Sequence, residues 1–254
     1  MNKKIIVALL FPAMAFAGET LDAAKLAQVA KEREEWTKQH FAKQGSPVPD
    51  GGVTVMPEKQ MSEYKTLKAQ RAKERADVKK YGYIKQVLPQ TQSLLNFKEV
   101  SKNQFVAKSA NSANDGLRHN INEIQMAYDF KGVPAHLITK MLGISPSVTF
   151  VQDKGWAGAM QFFEKEGLGN CSYRENNLKF SHGAAIIPEE DATKDVNGKV
   201  TISNITGENS NGFLYSVDWY DDSFFRELKC AKSDYTADTL ASMLELARQI
   251  DSNG

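Results

Sequence analysis

The sequence predicts an α+β protein: an antiparallel, curved sheet of about four to five strands, packed with helices and preceded by a helical N-terminal arm. Three observations predict it. Apolar and polar residues alternate through several runs between Cys171 and Cys230. Asn197-Gly198 and Asn211-Gly212 supply the positive φ angles that tight hairpins need. Upstream of these runs, apolar residues recur at helical spacing, and the first third of the chain is charged and thinly apolar.

Residues 1–17 have a basic head at Lys3 and Lys4, a short apolar run and Ala15-Phe16-Ala17 before Gly18. These are the parts of a secretory signal peptide, expected to be cleaved after Ala17. The apolar run is too short to span a bilayer, and no later stretch approaches a spanning length. The expected location is therefore periplasmic or secreted, in a bacterial style of export. In such a compartment the chain's two cysteines, Cys171 and Cys230, are expected to pair.

Residues 18–82 read as a charged helical arm. Its first helix spans residues 20–44, with Thr20 as N-cap and Gly45 as stop, and carries a broken apolar stripe that includes Trp36 and Phe41. Three prolines and three glycines between Gly45 and Pro57 mark a linker. A second helix follows over residues 58–80, its stripe of Met61, Tyr64 and Leu67 fading into a charged run. Trp36, Phe41 and Tyr64 are the candidate contacts for a protein partner.

Residues 83–254 form the expected α+β domain. Leu117, Ile121, Ile124 and Tyr128 share one face of an expected helix over 115–131. Pro134 opens a second, over 134–143, and Trp156, Met160 and Phe163 mark a third, over 155–166. The sheet then starts near Cys171–Arg174. It continues with Leu178, Phe180, His182, Ala184 and Ile186, with residues 200–205, with Phe213, Tyr215, Val217 and Trp219, and with Phe224, Leu228 and Cys230. A last helix is expected over 236–250. If the segments pair as neighbours, the disulfide ties the entry of the sheet to its exit and leaves a concave face.

Charge divides the chain. Residues 18–150 carry a balance of +6, and residues 151–254 one of −7, which suggests two different surfaces. The basic excess is too mild and too spread for a nucleic-acid binder. His40, His119, His136 and His182 are scattered, and no metal-binding spacing or cofactor motif is present. Residues 193–204 partly imitate a calcium loop, but Thr193 and Asn204 stand where carboxylates are needed, so a hairpin explains them better. Ser62-Glu63-Tyr64-Lys65 matches a serine-enzyme pattern without its companion motifs.

The expected function is that of an exported, non-catalytic interaction or accessory subunit of a bacterial envelope or secretion assembly. The alternative is a small-ligand-binding or hydrolytic domain using the concave face, with His182, Tyr173, Tyr215 and Trp219 as pocket residues. A secreted effector is a further alternative.

Overall fold

The computed structural model describes residues 52–61, 64–98, 118, 120–151, 153–181 and 183–253. Among these residues ten strands run in chain order as β1 Gly52–Met56, β2 Ile84–Lys85, β3 Lys140–Val151, β4 Gly155–Lys165, β5 Gly169–Asn177, β6 Ala184–Pro188, β7 Thr193–Val196, β8 Lys199–Glu208, β9 Gly212–Tyr220 and β10 Phe224–Lys232. Four α-helices accompany them: α1 Tyr64–Tyr81, α2 Pro89–Leu95, α3 Leu178–Ser181 and α4 Asp238–Ser252.

The main sheet has eight strands rather than the four to five expected. Its path is β2-β8-β9-β10-β5-β4-β3, with β7 also paired to β8. The extra strands come from segments that read as helices. The sequence predicts helices over 134–143 and 155–166, but β3 and β4 occupy residues 140–151 and 155–165. Within the helix expected over 115–131, the described residues form a 3-10 turn at Ile121–Glu123 and isolated bridges from Arg118 to Ile144 and from Met126 to Trp156. The reason is visible in β4. Ala157, Ala159, Gln161 and Phe163 point into the core, while Phe162 on the other face stacks on Phe97 at 4.3 Å. A strand covered on both faces loses its period-two alternation. Trp156, Met160 and Phe163 then fall at helical spacing by coincidence.

The strands form two three-stranded antiparallel meanders, β3-β4-β5 and β8-β9-β10, joined where β5 pairs with β10. Cys171 and Cys230 face each other across that seam, bonded at 2.00 Å with Cα atoms 4.1 Å apart. The disulfide therefore staples two neighbouring central strands. It does not clamp the entry of a bent sheet to its exit. Asn197 and Gly198, both at positive φ, turn β7 into β8, and Gly212 at φ 76° follows the β8–β9 turn.

The expected strand over 178–186 is also broken. The Asn177 side chain accepts from Phe180 N–H at 3.0 Å, which starts the single turn α3 and carries the chain away from β5. Ala184–Pro188 then pairs in parallel with β1, residue for residue. Five residues of the expected linker are thus a strand that binds the segment preceding α1 to the body.

The core lies on one face of the sheet. Inward residues Phe163, Tyr173, Leu228, Tyr215, Val217 and Trp219 meet α4 through Met243, Leu246, Ala247 and Ile250. Phe130, Val133 and Leu137, from the segment between Asn120 and Ile138, cover the rest. Buried Gln161 pins that segment with two hydrogen bonds, accepting from Val133 N–H at 2.8 Å and donating to Val133 C=O at 3.3 Å. On the opposite face α2 covers one end, with Leu94 on Leu214 and Ala231.

Candidate functional site

The expected pocket residues lie in the filled core. Tyr173, Tyr215 and Trp219 are 1%, 0% and 0% exposed. Tyr173 and Trp219 are brought together, their rings 5.9 Å apart. Each polar tip has a partner. The Tyr173 hydroxyl donates to Glu175 at 2.9 Å, and Trp219 Nε1 donates to Asp251 at 3.0 Å. The Tyr215 hydroxyl accepts from Thr236 N–H at 2.7 Å and donates to Thr236 C=O at 3.1 Å. α4 and the covering segment take the room a ligand would need beside these three. His182, Trp36 and Phe41 lie outside the described residues, and of Tyr64 only its place at the start of α1 is described. His136 is exposed.

Around these aromatics runs a buried ionic network. Arg226 donates to Glu175 at 2.8 Å and to Asp221 at 2.6 Å. Asp251, near the end of α4, accepts from Lys199 at 2.6 Å and from Asn197 at 3.0 Å. Burial and the neighbouring Glu175 charge push the Tyr173 hydroxyl well above its ordinary range. Burial works to raise Asp221, but the Arg226 guanidinium wins and holds it below the usual carboxylate range. Each of these contacts is satisfied within the protein, and those to Asp251 hold α4 on the sheet.

Two other arrangements remain. The first is a row across the opposite face of the sheet, Arg174 on β5, Glu227 on β10 and Asp218 on β9, aligned by register. Arg174 lies 3.3 Å from Glu227 and also over the Phe225 ring at 4.9 Å; Lys229 bonds Glu227 at 2.5 Å. Tyr220 stacks on Phe225, with ring centroids 5.1 Å apart. Asp218 Oδ1 and Arg174 Nε are buried without a hydrogen-bond partner. Burial and the Glu227 charge push Asp218 up to about 7, while Arg174 and Lys229 oppose that shift. Burial also works to raise Glu227, but the same two cations hold it below its ordinary value. Two carboxyl groups with separated proton affinities are the raw material of acid–base chemistry. This row is missed in the sequence because only strand register shows which residues stand opposite one another; the one signal is that Asp218 and Glu227 fall out of phase with the core residues of their strands.

The second arrangement is α1. It carries seven basic residues against two acidic ones. From Thr66 onward most of it is exposed, and its half-buried positions, Leu67, Arg71, Glu74 and Asp77, form a mainly polar stripe. Arg71 bonds Asp191 at 2.6 Å, and Arg75 bonds Glu58 at 2.6 Å and Asp191 at 3.2 Å. The backbone N–H of Glu58 in turn reaches the Glu190 carboxylate at 2.8 Å. From Thr66 onward the helix is thus tethered to the body by ion pairs, and Leu67 is the one apolar residue among its half-buried positions.

Among the described residues no group of three or more His, Cys, Asp or Glu side chains is placed to hold a metal. No described helix is long and apolar enough to cross a membrane. No protein-family model, curated protein or solved structure matches this chain.

Proposed function

We propose that this chain is an exported, non-catalytic interaction protein, an accessory subunit of a bacterial envelope or secretion assembly, and that it docks a partner protein bearing an acidic surface. The carrying observation is α1, a helix with a charge balance of +5 whose described half-buried residues form a mainly polar stripe. A helix that buries so little is not held for its contribution to a core. Its charges serve to steer and select a partner. The buried disulfide suits an oxidising compartment and the leader expected at residues 1–17. The filled core beside Tyr173, Tyr215 and Trp219 speaks against a pocket there.

The test is a photo-crosslinking amino acid placed on the exposed face of α1, used on the mature protein in an envelope extract. The proposal requires one crosslinked polypeptide whose capture is lost in the Lys79→Glu/Lys80→Glu double variant. Equal capture by both forms, or adducts with anionic lipid alone, would contradict it. A second reading, a small-ligand or hydrolytic site, has the Asp218–Glu227 row in its favour. It requires that Asp218→Asn abolish binding or turnover without weakening capture by α1.

A further inference from the structure

The disulfide reveals how closely Asp218 and Glu227 meet. Paired residues on antiparallel strands alternate between a wide, hydrogen-bonded pairing and a close, non-hydrogen-bonded one. The 4.1 Å Cα separation marks Cys171–Cys230 as a close pair between β5 and β10. A strand residue turns its N–H and C=O to one neighbour, and the next residue turns them to the other. Cys230 therefore bonds toward β9. Glu227, three positions earlier in an unbroken register, bonds toward β5. Its pairing with Asp218 across β9 is then of the close type, with Cα atoms about 4.5 Å apart. Two carboxyl groups stand side by side on the face away from α4.

Their surroundings are unequal. Glu227 is taken up by Arg174 and Lys229. Asp218 has a buried oxygen with no partner. On its other side β8 presents Val200, Ile202 and Asn204, none of which titrates. Tyr220, on its own strand, is neutral and held so by burial. Among the described residues, the cations facing the pair are Arg174 and Lys229, and both lie on the Glu227 side. We infer that Asp218 and Glu227 share a single proton at neutral pH and form a pH-sensitive latch on the β9–β10 pairing. With the proton present, one carboxyl donates to the other across the strands. Without it, two like charges repel in a close pair.

The position of Asp218, about 7 against an ordinary 3.8, agrees with this arrangement. Because the native state holds the proton more tightly than the unfolded chain, stability falls as pH rises between those two values and stays low above the upper one. The experiment follows the Asp218 carboxyl by carbon-13 NMR in the full mature protein and measures denaturant unfolding from pH 4 to 9 for wild type and Asp218→Asn. The expected result is a midpoint near neutrality. The wild-type unfolding equilibrium should shift toward the unfolded state by at least about tenfold over the range, and the Asn variant should lack that component. An Asp218 midpoint in the ordinary carboxylate range, or the same pH profile in both proteins, would overturn the latch. Neither outcome bears on docking through α1.

Discussion

Arg226 shows how a single side chain can organise the buried end of the sheet. Its guanidinium serves Glu175 and Asp221 at once, and Glu175 also holds the Tyr173 hydroxyl. Removing it leaves the Glu175 carboxylate buried without a cation, while Asp221 keeps Lys199 at 3.4 Å. Arg226→Leu should therefore cost about 3–5 kcal/mol in denaturant unfolding, far more than the loss of an exposed ion pair. Gln161 acts on a smaller scale. Gln161→Leu keeps the volume but orphans the N–H and C=O of Val133, and should cost about 1–3 kcal/mol. Faster hydrogen exchange at Val133 in that variant would confirm that the side chain fastens the covering segment. The Arg226–Glu175 and Gln161–Val133 partnerships could not be read from the sequence, because each joins residues far apart in the chain through contacts that only the folded register creates.

At the scale of elements, the disulfide binds the two meanders at their seam. Cys171 and Cys230 are fully buried. Reductant should leave the folded protein oxidised at neutral pH and act only as fast as the chain opens, which thiol trapping under native and mildly denaturing conditions can measure. Replacing both cysteines by alanine should lower stability by about 2–4 kcal/mol, the range expected for closing a loop of this length. The β8–β9–β10 meander was legible because β9 alternates cleanly and Asn-Gly marks the turns before β8 and before β9. β4 was not, because it is apolar on both faces, and of β3 only residues 148–151 read as a strand, since Pro146, which an edge strand tolerates, interrupts the run. The α3 turn was hidden for a different reason. The apolar phase from Leu178 to Ile186 continues across it, and only the Asn177 side-chain bond breaks the strand.

At the scale of the whole molecule, charge follows architecture in part, although β3 and the core residues Phe130, Val133 and Leu137 also belong to the basic half. The basic excess is concentrated in α1, which lies outside the core, while the acidic half builds most of the sheet. The structure places Asp191 and Glu58 where they tether Arg71 and Arg75, so part of the opposite charge holds the helix in position. Asp191→Ala should loosen that tether, raising protease sensitivity within α1 while leaving the global unfolding midpoint within about 0.5 kcal/mol of wild type. Lys79 and Lys80, in the last turn, are left to face outward.

The measurement that tests the docking claim most directly is the affinity of the crosslinked partner for wild type and for Lys79→Glu/Lys80→Glu, each at low and physiological salt. Docking through α1 predicts that wild-type affinity falls as salt rises and that the double reversal weakens binding by at least about tenfold at low salt. Equal affinities with no salt dependence would place the contact elsewhere on the molecule and contradict the role assigned to α1.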